Sequence, residues 1–122
     1  MTSWTDAQLS GLDAEELVLV ISREGHDTLR VPVWPVAIDG QAYVRSYKGV
    51  TSMWFRRVQL DHQQAIELAG NEVAVRFEDV DRDDHVNAAI SAAYDSKYKR
   101  FDYRDAMSEP AAVEATLRIL PA

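Results

Sequence analysis

The chain has 122 residues, with 20 Asp and Glu against 13 Lys and Arg, a formal net charge of -7, and 47% hydrophobic residues. That length suits one compact domain with one core, spanning residues 1–122. The charge excludes the broad basic face that non-specific nucleic-acid binding needs and disfavours anionic membrane surfaces. The absence of cysteine removes disulfides, thiolate nucleophiles and Cys-type metal sites, and fits a cytoplasmic protein.

No apolar run approaches the length of a membrane span, and "MTSWTDAQLSGL" lacks the basic and apolar regions of a signal peptide. Instead, Ser3 or Thr5 can cap a short helix ending near Leu12, with Asp6 at its positive end and Gly11 close to its stop. "LVLVISR" (17–23) is then a β-branched run, "EGHDT" a turn, and "LRVPVWPVAI" (29–38) one further strand. Pro32 and Pro35 cannot donate to a ladder, which makes this strand an edge or bulged element.

Asp39-Gly40 between apolar runs is the strongest hairpin signal in the chain, and "QAYVRSY" is the return strand. Alternation puts Ala42, Val44 and Ser46 on one face and Tyr43, Arg45 and Tyr47 on the other. After Gly49, "TSMWFRRVQL" reads as a short helix capped by Thr51 or Ser52. "QAIELAGNEVAVRFEDV" is a second hairpin turning at Gly70-Asn71, with Val73, Val75 and Phe77 on its buried side. "DDHVNAAISAAYDSKYKR" is the longest helix, carrying Val86, Ala89, Ile90, Ala93, Tyr94 and Lys97 on one stripe and basic residues at its end. "ATLRIL" is the last strand. Antiparallel strands, one main helix and short helical connections make an α+β protein, most naturally a small barrel or a strongly curled sheet.

The charge pattern singles out one stretch. Arg45, Lys48, Arg56 and Arg57 fall in a window with no carboxylate between Asp39 and Asp61. Lys48 with the Ser46, Thr51 and Ser52 hydroxyls can reach a phosphate, Arg56 or Arg57 can close a bidentate contact, and Gly49 permits close backbone approach. Tyr47, Trp54 and Trp34 can pack on a ring system, so the window describes a site for a phosphorylated or carboxylated aromatic molecule. A second reading stands beside it: the cations are counterions for the chain's own acids, and Trp54 and Phe55 are core residues of a short helix.

Other chemistry finds little support. His26, His62 and His85 are far apart and form no metal-ligand spacing. "EDVDRDDH" (78–85) lacks the glycine and terminal glutamate of a calcium loop and reads as a strand-to-helix connection capped by Asp83 or Asp84. No Gly-x-Ser-x-Gly elbow occurs. Tyr94, Tyr98 and Tyr103 with Lys97 and Lys99 have the spacing of packing and surface pairing rather than of acid-base groups.

The succession "PVWPVAIDGQAYVRSYKGVTSMWFRR", "AIELAGNEVAVRFEDV", "VNAAISAAYDSKY" and "ATLRILP" resembles DUF2255, a family of small, functionally uncharacterised bacterial proteins, over residues 12–121. The same order also resembles the FMN-binding split-barrel superfamily, which includes pyridoxamine-phosphate-oxidase-like proteins and deazaflavin-dependent nitroreductases. The resemblance implies a six-stranded antiparallel split β-barrel with one main helix, a homodimer, and a cofactor phosphate held by the loop at Ser46–Ser52. Carried over by position, Arg45, Ser46, Lys48, Ser52, Arg56 and Arg57 are the candidate phosphate contacts, and Tyr47 and Trp54 flank the ring or its linker. The function expected from it is binding of FMN or a deazaflavin coenzyme, with oxidoreductase activity. The alternatives are a cofactor-free protein for a small anionic or aromatic ligand, and an interaction domain that dimerises through its Trp/Arg surface.

Overall fold

The computed structural model describes residues 4–99 and 106–122. Ser3, Arg100 and Tyr103, named above as cap, helix end and ring residue, lie outside the described residues. In chain order, α1 (Asp6–Leu12) precedes β1 (Leu17–Ile21) and β2 (Leu29–Val33). Beyond Trp34 come β3 (Pro35–Ile38), β4 (Gln41–Arg45), a 3-10 turn (Gly49–Thr51) and α2 (Met53–Leu60). The hairpin β5 (Gln63–Leu68) and β6 (Asn71–Asp79) follows, then α3 (Val86–Lys97), α4 (Pro110–Glu114) and β7 (Thr116–Pro121).

The expectation of six strands and one main helix is thereby corrected to seven strands and four α-helices among the described residues. The extra strand arises at Trp34. Pro32 and Pro35 flank it without N–H groups, so the run 29–38 cannot ladder as one strand. Its first half pairs with β1 (Leu17 opposite Val33) and its second with β4 (Pro35 opposite Val44). The extra helices are α1 and α2, both foreseen as short connections, and α4, whose five residues are too few to display a period but start at Pro110, a residue preset for a first helical turn.

The strand order is β2-β1-β5-β6-β7-β4-β3, so β2 and β3 are the two edges of one sheet. In a flat sheet those edges would lie about 29 Å apart, six spacings of about 4.8 Å. Here a single residue joins them, and consecutive Cα atoms are only about 3.8 Å apart. The sheet therefore curls into a half-barrel whose edges meet at Trp34. Both hairpins close on two-residue turns in which each residue has positive φ: Asp39 (49°) with Gly40 (79°), and Ala69 (52°) with Gly70 (81°). That geometry matches the right-handed strand twist. The second turn thus falls one residue before Gly70-Asn71.

Two cores result. Inside the curl, Leu19, Val44, Phe55, Ile66, Phe77 and Leu117 belong to the larger one, closed at one end by α1 and by α2. Thr5 forms a capping box for α1, its hydroxyl accepting from the Gln8 amide at 3.1 Å while Gln8 Oε1 accepts from the Thr5 amide at 3.0 Å. On the outer face, Val36 and Tyr43 pack against Ile90, Tyr94 and Tyr98 of the α3 region. The buried stripe of α3 is Asn87, Ile90 and Tyr94, with Ala89 exposed, so it is rotated slightly from the expected one.

Tyr98 stacks on Trp34 at 4.4 Å, and its hydroxyl donates to the Pro35 carbonyl at 2.7 Å. The Tyr94 hydroxyl donates to the Trp34 carbonyl at 2.6 Å and accepts from the Arg45 amide at 3.0 Å. Burial is the main force pushing both phenols far above the ordinary tyrosine range. The unfolded chain ionises them near pH 10, whereas the folded chain keeps their protons. Above about pH 10 the native state thus binds more protons, and stability falls as pH rises. Tyr94→Phe should cost about 1–3 kcal/mol at pH 7, because the Arg45 amide and Trp34 carbonyl lose a partner, and should flatten the alkaline decline. Urea melts of both proteins at pH 7 and at two pH values above 10 check this; an unchanged alkaline slope would count against the assignment.

Candidate functional site

A cavity of about 840 Å³ occupies the seam where the edge strand β2 faces the end of β4. Its size is that of pockets that enclose small ligands. Leu29, Val31, Pro32 and Val33 of β2 form one wall with Trp34, and Arg45 through Lys48, Thr51, Ser52, Met53 and Trp54 form the other, with Met107 completing it. Of the residues expected from the sequence, Arg45, Ser46, Tyr47, Lys48, Ser52 and Trp54 line this one cavity; Arg56 and Arg57 do not. No Asp or Glu is among the described lining residues.

The four cations have separate fates. Arg45 is 1% exposed. Its Nε donates to Thr116 Oγ1 (2.9 Å), Nη1 to Ser91 Oγ (2.8 Å) and to the Met107 carbonyl (2.9 Å), and Nη2 to Asn87 Oδ1 (3.0 Å) and the Asn87 carbonyl (3.2 Å). These acceptors match the five N–H bonds of a guanidinium, and every one is neutral. Arg57 is also buried, donating to the carbonyls of Asp27 (2.7 Å) and Ile21 (3.5 Å) and so pinning the β1–β2 connection. Arg56 is exposed on α2, and Lys48 stands at the cavity with its Nζ 5.7 Å from the Tyr47 ring centroid. Among the described residues none of the four forms an ion pair with a carboxylate. The counterion reading of this window thus has no ion pair behind it among the described residues, while the packing reading holds for Trp54 and Phe55, both in the inner core.

The loop after β4 is shaped by hydroxyl and backbone contacts. Ser46 Oγ and Ser52 Oγ lie 2.8 Å apart, and Thr51 Oγ1 donates to the Lys48 carbonyl at 3.2 Å. Ser52 holds the N-cap position of α2, as expected of it or Thr51, but its side chain makes no capping hydrogen bond because it is turned to Ser46. Burial lowers the Arg45 pKa, with Tyr94 opposing, yet a guanidinium stays charged at neutral pH. The wall thus combines a buried cation, an exposed cation, two facing hydroxyls and the rings of Trp34, Tyr47 and Trp54. Met107, Asn87 and Ser91 gave no signal in the sequence, since each is joined to the site only by the tertiary fold.

Elsewhere, His62 Nε2 is 3.1 Å from Asp79 Oδ1, and His26 and His85 are exposed. Among the described residues no three metal-ligating side chains gather, and no helix is long and apolar enough to cross a membrane. The N-cap of α3 is His85 and not Asp83 or Asp84, although Asp84 accepts from the Val86 amide at 2.9 Å.

The family model described as "Uncharacterized protein conserved in bacteria (DUF2255)" matches residues 8–119. The chain belongs to the DUF2255 family. Among curated proteins no match was found. Among solved structures, a FAD-binding protein from Mesorhizobium loti is similar, with a TM-score of 0.63 and 18% identity over 100% of this chain and 92% of that one. A conserved hypothetical protein from Mycobacterium tuberculosis gives 0.57 and 12% over 99% and 81%. A protein of unknown function from Agrobacterium tumefaciens gives 0.60 and 14% over 96% and 54%. At such identities the likeness shows the fold alone.

In this DUF2255 chain the loop's shape depends on Gly49, which has φ of 76°. An added Cβ there would sit 3.2 Å from both Cβ and the carbonyl oxygen of Ala111 in α4. Gly49→Ala should therefore destabilise the protein by about 1–3 kcal/mol, combining left-handed strain with overpacking. A thermal melt compared with wild type checks it; an unchanged midpoint would show that the loop tolerates a different backbone.

Proposed function

We propose that the protein binds a flavin or deazaflavin in the seam cavity and uses it in electron transfer. The observation that carries this reading is a ligand-sized cavity with apolar β2 residues and Trp34 on one side and the rings of Tyr47 and Trp54, cationic groups and hydroxyls on the other, with no carboxylate among its described lining residues. The FAD-binding description of the Mesorhizobium loti neighbour adds support.

The residues present suit such a group. Lys48 and the hydroxyls of Ser46, Thr51 and Ser52 would hold a phosphate, and the uncapped first turn of α2 would add its amides. Trp34, Trp54 and Tyr47 would contact the ring. Arg45 leaves the list of direct phosphate contacts, because its donors are already engaged, and Arg56 and Arg57 leave it because they lie outside the cavity lining. A bound flavin supplies the electron chemistry at its own ring, so the chain has to bind, orient and shield rather than donate a catalytic acid.

The reading includes a homodimer. Tyr47 and Met53, both in the cavity lining, are 58% and 62% exposed, an apolar rim suited to cover by a second copy. The Trp/Arg surface once expected for dimerisation is a different matter, since Trp54 and Arg57 are buried within the chain.

Titration of the apo-protein with FMN, FAD and a deazaflavin coenzyme, followed by ring fluorescence and thermal shift, should give saturable micromolar binding of at least one. Lys48→Glu should weaken it at least tenfold, the scale of a charge-assisted hydrogen bond replaced by repulsion. No binding of any of the three, or binding indifferent to Lys48→Glu, would overturn the assignment.

A further inference from the structure

Arg45 is the most fully buried cation described in the chain, and among the described residues no carboxylate pairs with it. Its guanidinium donates to Ser91, Asn87, Thr116 and the carbonyl of Met107, and Arg45 and Met107 both belong to the cavity lining, so the charge sits in the wall with its donors turned to those oxygens. An ordinary structural arginine is buried with a carboxylate, because an isolated buried charge is costly. Here the neutral acceptors satisfy its hydrogen bonds and leave its field intact.

We propose that Arg45 is a fixed positive charge that makes the seam cavity selective for anionic ligands through its field, its donors being held by the protein's own oxygens. The proposal uses the same cavity as the flavin reading but does not require a flavin. It divides the labour between two cations. Lys48 is exposed, so its attraction is screened by salt, whereas the field of a buried charge directed into an apolar cavity is screened far less. A unit charge in the wall of a partly desolvated cavity changes the affinity for an anion by roughly tenfold or more.

The probes are 8-anilinonaphthalene-1-sulfonate, an anionic fluorophore, and N-phenyl-1-naphthylamine, the same ring system without the sulfonate. Each is titrated at low and at high salt. Lys48→Gln should weaken the anionic probe at low salt and have little effect at high salt. Arg45→Gln should weaken it about tenfold at both, leaving the neutral probe unchanged, and Arg45→Lys should restore most of the loss. Since Arg45→Gln removes five hydrogen bonds and can unfold the chain, Ser91→Asp is the second variant. It places a carboxylate against the guanidinium from a half-buried position 2.8 Å away and cancels the field with Arg45 still in place. Ser91→Asp should lower the affinity for the anionic probe about tenfold and leave the neutral one unaffected.

A merely structural Arg45 predicts the opposite: Ser91→Asp leaves the anionic probe unchanged, or a variant weakens both probes equally. Either result, or failure of both probes to bind, overturns the proposal. If flavins fail to bind while the two probes separate as described, the flavin reading falls and this one stands; if a flavin binds and the probes do not separate, the reverse holds.

Discussion

The single-residue link at Trp34 is the constraint on which the rest of the molecule depends. Because it joins the two edges of a seven-stranded sheet, the sheet has to curl, and an inner core and an outer core follow from the curl. A corner this tight removes backbone groups from the ladder. The two flanking prolines have no donors to lose, but the carbonyls of Trp34 and Pro35 need partners. They find them on the α3 region: Tyr94 serves the first, and Tyr98 and Lys97 Nζ (2.7 Å) serve the second. Lys97 also reaches Asp13 Oδ1 and the Ala14 carbonyl, both at 2.8 Å, which ties the same corner to the end of α1. The long helix is thus a clamp for a break in the sheet, and its tyrosines are placed where strand hydrogen bonds are missing.

The same corner creates the cavity. Closing the sheet at one residue leaves β2 and the end of β4 apart beyond it, and the side chains that line this gap are β2's apolar residues on one side and the loop after β4 on the other. A site at this seam needs no dedicated element. It exists because the barrel closes at a point and not along a ladder. The polar groups gather on the β4 side because that strand leads into Ser46 and Lys48, while β2 contributes aliphatic residues and a proline.

Much of this was legible in the residues, and what was not has physical reasons. Asp39-Gly40 and the alternating faces of β4 were readable because two-residue turns and period-two side-chain direction are local properties, although both faces of β4 are buried. The break at Trp34 was half readable: the prolines announced that the strand was irregular, but the assignment of its halves to opposite edges depends on pairings with β1 and β4 that no local pattern encodes. α4 carried only a proline as signal. At the site, the loop residues were found because charge, glycine and hydroxyls coincide in the sequence. Met107, Asn87 and Ser91 were invisible because they reach Arg45 from 62, 42 and 46 positions away.

The basic window also shows why counting cations overstates a binding site. Four positive residues without a neighbouring acid suggest four contacts to an anion. Folding assigns Arg57 to two carbonyls of the β1–β2 region and Arg45 to a buried set of neutral oxygens. Both are arginines, whose planar fork suits several fixed acceptors at once, whereas the residue left at the cavity is a lysine, a compact charge on a flexible stem. The chemistry of the two side chains thus follows their positions: the forks organise the frame, and the mobile ammonium stands where a ligand would arrive. In a chain of net charge -7 an anion is repelled over most of the surface. A cavity whose described lining holds two cations and no carboxylate differs from that surface in the sign of its charge.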